Sequence, residues 1–316
     1  MIQKIPSLTD IASAHKRIAP FINLTPVLTS SSINEIVGAE LFFKCENFQK
    51  VGAFKFRGAS NVILSLTEKE LHKGVATHSS GNHAAALALA AKSKNIPAYI
   101  VMPENSPEIK KIAVAGYGAE ITYCKPTLQA REETLARVVE QTGATFIHPY
   151  NKFEIVCGQG TAAKELIEQT KNLDIIIAPV GGGGLLSGTA IASKGLDTNI
   201  RVIGAEPKGA DYAYRSFYQK KLFPSENPNT IADGLLTSLG NLTFAIIQKY
   251  VDDIITVTEN SIIKAMKMIW ERMKIIVEPS AAVALAVILE NRGKFAAKRI
   301  GLILSGGNVD LEKLPF

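Results

Sequence analysis

Cysteine is scarce in this 316-residue chain. Cys45, Cys124 and Cys157 are odd in number and far apart. That excludes a disulfide framework and a CxxC metal ribbon, and leaves reduced thiols in a cytoplasmic protein as the expectation. The five histidines share no ligand spacing, and none stands with a cysteine in a nucleophile motif. Apolar runs are too short or too broken by glycine to span a bilayer, and MIQKIPSLTD at the start lacks the apolar stretch of a signal peptide. A concentrated charge is missing too. The formal +6 is dispersed, with only pairs such as Lys110-Lys111 and Lys220-Lys221, which argues against nucleic acid and for a surface that tolerates anionic ligands. With membrane and nucleic-acid partners set aside, a small molecule is the expected ligand. At 47% hydrophobic and 20% charged residues, the chain is globular and long enough for about two domains.

What is present is alternation. Strand candidates are ELFFKCE (40–46), GVATHSS (74–80), PAYIVMP (97–103), AEITYC (119–124), TFIHPY (145–150), LDIIIAPVG (173–181), NIRVIGAEP (199–207) and RIGLILSGG (299–307). Between them run helix-period segments such as NHAAALALAAKSKN (82–95) and REETLARVVEQTG (131–143). This order predicts βαβ units, hence an α/β fold with mostly parallel sheets. No linker or repeat divides the chain, so two closely packed lobes with a ligand cleft between them are expected. Ligands of parallel sheets gather at strand carboxyl ends. Four informative stretches fall there: THSSGNH, PVGGGGLLSG, GAEPKGAD and LSGGNVD.

GAFKFRGAS (52–60) sets Lys55 between Phe54 and Phe56. Apolar flanks lower a lysine's pKa and make its amine nucleophilic. PVGGGGLLSG (179–188) runs from a strand into a helix through Gly181, Gly182, Gly183 and Gly184. Successive backbone N–H groups at a helix start suit a phosphate, and four glycines are entropically expensive for a plain turn. The stretch is neither a Walker A loop nor a GxGxxG fingerprint. THSSGNHAAA (77–86) has the same layout and fits two readings: a carboxylate cradle, or a helix capped by Ser80 or Asn82.

A phosphate cradle, a carboxylate cradle and a lysine in apolar flanks are the parts of a pyridoxal phosphate site for amino acids. With these motifs in order from near residue 5 to SGGNVDL, the chain resembles the fold type II pyridoxal-phosphate enzymes, specifically the serine racemase and serine/threonine dehydratase family. The resemblance implies a fold like that of tryptophan synthase β: two open, parallel-sheet, three-layer lobes with the cofactor in the cleft. It implies a large lobe of residues 1–73 and 152–316 and a small lobe of residues 74–151. Lys55 becomes the Schiff-base lysine and base, and Ser80 the group exchanging a proton on the opposite face. A plain carboxylate-loop hydroxyl is the other reading of Ser80. Phe54, Asn82, Gly181, Gly182, Gly183, Gly184, Leu185 and Ser305 are implied as cofactor contacts, and Ser79, Ser80, Gly81, Asn82 and His83 as the substrate-carboxylate loop.

Arg131 matches an arginine that approaches a second substrate carboxylate, with Tyr117 upstream of it. A solvated charge in a first helical turn is the alternative. Glu206 and the Ala210 carbonyl match ligands for Mg²⁺, Ca²⁺ or Mn²⁺, although Tyr212 stands where a further carboxylate belongs. The implied activity is dehydration and deamination of L-serine or L-threonine with serine racemisation. Alternatives are a dedicated serine racemase, a threo-3-hydroxyaspartate dehydratase, or a non-catalytic cofactor carrier or amino-acid sensor. A homodimer is the expected assembly.

Overall fold

The computed structural model describes residues 4–79, 81–106 and 108–316. Ten strands form two sheets. Six lie in one sheet: β1 (Val27–Leu28), β2 (Glu40–Cys45), β7 (Ile175–Pro179), β8 (Arg201–Pro207), β9 (Asp253–Val257) and β10 (Arg299–Leu304). Four lie in the other: β3 (Val75–His78), β4 (Ala98–Pro103), β5 (Glu120–Cys124) and β6 (Thr145–Phe146). The first has the order β1-β2-β10-β7-β8-β9 and the second β5-β4-β3-β6. Every pairing is parallel except that of the two-residue edge strand β1 with β2. The α/β expectation therefore holds as two parallel-sheet lobes.

The residue types explain the layering. β7, IIIAP, is buried throughout, and β10, RIGLIL, is buried after its first residue. Runs of this kind need helices on both faces, as parallel sheets have. Helix Pro279–Glu290 covers one face and is almost wholly apolar, whereas helices Phe153–Thr170 and Gly184–Leu196 cover the other.

Helix Lys55–Ile63 packs between helix Phe153–Thr170 and helix Asn82–Lys92 of the four-stranded lobe. Phe56, Ala59 and Val62 share that lobe's core with Leu87 and Ile100. Close approach on the other side requires glycine, since a Cβ on Gly158 would lie 2.6 Å from the Cα of Gly58. The helix is also pinned by buried charge. Arg57 bonds Glu46 at 2.7 and 2.8 Å and Glu165 at 2.7 Å twice, and Lys44 joins Glu165 at 2.7 Å. His15, which reads as a surface residue in sequence, reaches Glu165 as well, at 3.3 Å. The two positive and two negative groups of Lys44, Arg57, Glu46 and Glu165 compensate one another, the condition on which buried ions are tolerated.

Candidate active site

Between the lobes lies a cavity of about 570 Å³. Lys55 is on its floor, at the first position of helix Lys55–Ile63. The preceding residues are tied to the end of β10: Ala53 bridges Gly306, and the Phe54 N–H donates to the Ser305 carbonyl at 3.0 Å. Strand β10 thus sets the lysine's position. Lys55 Nζ donates to the Pro149 carbonyl at 3.1 Å and sits 5.2 Å from the Phe54 ring centre. Desolvation pulls its pKa down to about 8, against the opposing field of Glu278. An amine so placed has an appreciable neutral fraction at neutral pH.

Opposite it, β7 runs into Gly181–Gly183 and then helix Gly184–Leu196. Each glycine here is closely approached, and Gly182 and Gly183 leave no room for a Cβ. A Cβ on Gly181 would come 3.0 Å from the Gly234 carbonyl, and one on Gly182 would lie 2.2 Å from the Tyr150 ring. Gly183 has φ +85°, and its Cβ would meet Leu239 and Thr243 at 2.9 Å. The loop is further fixed by Thr243 Oγ1, which donates to the Gly182 carbonyl at 2.8 Å. Such a cradle, open only where a Cβ is absent, at the start of a thirteen-residue helix, fits a phosphate.

From the four-stranded lobe, Ser79, Gly81, Asn82 and His83 reach the same cavity at the carboxyl end of β3. Asn82 Nδ2 donates to Glu278 Oε1 and Oε2 at 3.0 and 3.1 Å. His83 is buried, and that burial holds its pKa well below the usual histidine value. Ser80 lies outside the described residues. Arg131, on helix Leu128–Thr142, lines the cavity, and its Nε is buried without a partner among the described residues. Tyr117 lines a separate cavity of about 800 Å³ behind Gly81 and Asn82.

The implied metal pair is placed elsewhere. Glu206 and Ala210 are buried near the start of helix Tyr212–Gln219 and do not line the Lys55 cavity. Both Glu206 oxygens are occupied by backbone donors, Ala213 N at 2.9 Å and Tyr214 N at 2.7 Å. Asp211 is turned to Arg215 at 2.9 Å, and the buried Tyr212 hydroxyl donates to the Leu235 carbonyl at 2.8 Å. Among the described residues no group of three His, Cys, Asp or Glu side chains could hold a metal ion. These residues cap a helix and tether a loop. A divalent cation here would share Glu206 with two N–H donors, and the neighbouring Asp211 carboxylate is already paired with Arg215.

Several groups in the cleft had no sequence motif. Glu278, 4% exposed, faces Lys55 and is pushed up to about 7, chiefly by burial. Its only sequence cue is its place before Pro279, a helix-start signal. His148 Nδ1 accepts from the Tyr150 and Asn151 N–H groups at 3.3 and 3.0 Å, which assigns its proton to Nε2. Burial keeps this imidazole neutral down to about pH 4. Lys110 and Asp233 pair across the cleft mouth.

A lysine amine poised near neutrality, facing a glycine cradle across an interlobe cleft, defines a class: α/β enzymes that hold a phosphate-bearing aldehyde on a lysine. The chain belongs to the pyridoxal-phosphate dependent enzyme family, whose match spans residues 18–306. It is 55% identical to serine racemase from Dictyostelium discoideum, covering 98% of this chain and 96% of that protein. The crystal structure of the Dictyostelium enzyme superposes with a TM-score of 0.93, over 96% of this chain and 99% of that one. The beta-hydroxyaspartate dehydratase of Paracoccus denitrificans is 51% identical over 99% of both chains. Maize serine racemase, 48% identical, superposes with a TM-score of 0.96 over 98% of this chain and 95% of that one. No helix among the described residues is long and apolar enough to cross a membrane.

Proposed function

We propose that this chain is an ammonia-lyase of hydroxy amino acids, converting L-serine or L-threonine to the 2-oxo acid and ammonia, with serine racemisation at the same site. One observation carries the reading: Lys55, its pKa lowered to about 8, faces the Gly181–Gly184 cradle inside one cavity. Lys55 would hold pyridoxal phosphate, with Gly181, Gly182, Gly183, Gly184 and Leu185 at its phosphate and Phe54, Asn82 and Ser305 around its ring. The bound cofactor supplies an electron sink that acidifies the α-C–H of an amino acid. Lys55 Nζ then takes and returns the α-proton, its neutral form being accessible near physiological pH. Ser79, Gly81, Asn82 and His83, with Ser80, receive the substrate carboxylate. Ser80 also carries the opposite-face proton in this reading.

Arg131 supports a second reading. Its buried Nε in the cavity wall, without a partner among the described residues, favours a substrate with a distal carboxylate, because a guanidinium binds carboxylate bidentately. That substrate is 3-hydroxyaspartate. Keto-acid release and residual enantiomer should be measured on L-serine, L-threonine and threo-3-hydroxyaspartate, for wild type and Arg131→Leu. Loss confined to hydroxyaspartate in the variant supports the second reading, equal loss on all three removes it, and no keto acid from any substrate sinks both. The same assay tests Ser80→Ala, which should suppress serine interconversion more than ammonia release.

In this reading residues 74–151 act as the small lobe against residues 1–73 and 152–316. The assembly in this reading is a homodimer, supported by the exposed apolar side chains of Phe48 and Ile276; Asn47, next to Phe48 in sequence, donates Nδ2 to the Ile276 carbonyl at 3.0 Å. Cytoplasmic residence is supported by Cys45, Cys124 and Cys157 being free and buried.

A further inference from the structure

Glu278 occupies the position before helix Pro279–Glu290, where a capping side chain accepts from the first N–H groups of the helix. It makes no such cap. Its carboxylate reaches across the cleft to Asn82 Nδ2, at 3.0 and 3.1 Å to its two oxygens. The other end of the same amide, Asn82 Oδ1, accepts from Asn308 Nδ2 at 2.9 Å, and that Nδ2 also donates to the Val51 carbonyl at 2.7 Å. Asn82 opens a helix of the four-stranded lobe, whereas Glu278 and Asn308 flank strands and helices of the six-stranded one. One amide is therefore gripped at both ends from the opposite lobe.

Resting on the reading of the cleft given above, we propose that Glu278 is a positioning residue that fixes the Asn82 amide for the cofactor from across the cleft and sets a negative charge against Lys55. The arrangement has a chemical logic. Asn82 Nδ2 carries two hydrogens, and Glu278 occupies one direction, which leaves the other free and oriented. A hydrogen bond to a carboxylate is stronger than one to a neutral acceptor, so the rotation of the amide is tightly restrained. The other charged groups facing Glu278 are Lys55 below it and the Lys110–Asp233 pair at the cleft mouth. Within that pair Asp233 acts on Glu278 more strongly than Lys110 does. Burial, with Asp233 adding to it, pushes Glu278 up to about 7. Its charge, and hence the basicity of Lys55, varies close to neutral pH.

Two variants separate the two roles. Glu278→Gln keeps an acceptor for Asn82 and removes the charge, while Glu278→Ala removes both. Apo-protein should be titrated with pyridoxal phosphate by visible absorbance. Glu278→Ala is expected to bind on the order of tenfold more weakly, and Glu278→Gln within about threefold of wild type, since only the first frees the Asn82 amide. In turnover, Glu278→Gln should move the acid limb of the kcat profile to lower pH, because Lys55 gives up its proton more readily without a neighbouring negative charge. Its KM should change far less than kcat. A purely structural Glu278 would lower the apo-protein Tm in both variants and leave the pH profile in place, and that result overturns the proposal. Wild-type cofactor affinity in Glu278→Ala overturns it too. If Glu278→Ala does not fold, the pH profile of Glu278→Gln decides. Turnover by a Lys55→Ala control would instead overturn the reading of the cleft on which the proposal rests.

Discussion

Replacing Gly182 by alanine inserts one methyl group at the tightest point of the cleft. That carbon would sit 2.2 Å from two carbons of the Tyr150 ring and 2.5 Å from a third. To reach ordinary contact, ring and loop must separate by at least about 1.2 Å, and both are restrained. The ring is held by its hydroxyl against Thr237 Oγ1 at 3.1 Å and by an edge contact with His148 at 4.5 Å between centres. The loop is held by Thr243 at the Gly182 carbonyl. Forced overpacking of this kind costs about 1–3 kcal/mol, and whatever part of the displacement the loop takes turns its N–H groups. Each N–H turned away from a phosphate forfeits a charge-assisted bond of about 1.5–3 kcal/mol. Cofactor affinity should therefore fall by roughly 10- to 100-fold. The measurement is a pyridoxal phosphate titration of apo-protein, with apo Tm followed in parallel. Repeating it in a Tyr150→Ala background, which removes the opposing ring, should recover most of the loss. Unchanged affinity in Gly182→Ala would refute the cradle. An undiminished penalty in the Tyr150→Ala background would refute the ring contact as its cause.

Lys55→Ala should abolish keto-acid release from every hydroxy amino acid while far-UV circular dichroism stays unchanged; release at the wild-type rate by the folded variant rejects the assignment. Arg57→Met leaves Glu46 and Glu165 buried without their shared partner, which should cost about 3–5 kcal/mol in denaturant unfolding; a loss below about 1 kcal/mol would reduce the cluster to surface-pair strength. Burial raises Glu206 from 4.5 to about 8, so its protonated form favours the fold, and the stability it contributes below pH 4.5 is lost as pH rises through 8. Glu278 erodes stability only up to about pH 7, so Glu206→Gln should flatten the Tm curve most visibly between 7 and 8, and parallel wild-type and variant curves there would contradict this. Because both Glu206 oxygens already accept N–H groups, EDTA should leave activity and Tm nearly unchanged; activity lost to EDTA and restored by Mg²⁺ would show that the loop reorganises around an ion.

The parallel sheets were legible because apolar runs such as IIIAP and GLIL alternate with helix-period segments, a pattern set by burial on both faces. The edge strands carried less signal. β1 is two residues long, and TFIHPY yields only Thr145–Phe146 as strand. Beyond it, His148 captures the Tyr150 and Asn151 N–H groups and turns the chain toward the cleft, a tertiary event with no local pattern. Residues that act through the backbone, above all Gly181 to Gly184, announce themselves as composition. Residues that act through a partner distant in sequence do not. Glu278 meets Asn82 across 196 positions, and nothing near either marks the other. GAEPKGAD was legible as a strand end but not as a helix cap, because that depends on where Ala213 and Tyr214 point their N–H groups.

The order in which the chain leaves the ribosome bears on when this protein can function. All strands of the four-stranded lobe lie within residues 75–146, so its contacts are available early, and such local units fold as they emerge. The six-stranded sheet cannot close that way. β2 pairs with β10, Glu40 with Arg299 and Cys45 with Leu304, so residues 40–45 wait for residues 299–304. The Phe54 N–H that steadies Lys55 bonds the carbonyl of Ser305, just past β10. A nascent chain thus exposes the β2 edge, an unpaired strand prone to wrong partners, until β10 has emerged. The site that takes up the cofactor is assembled by the same late strand. Cofactor capture therefore waits for β10, and truncations that remove β10 should yield chains that retain the four-stranded lobe yet stay colourless.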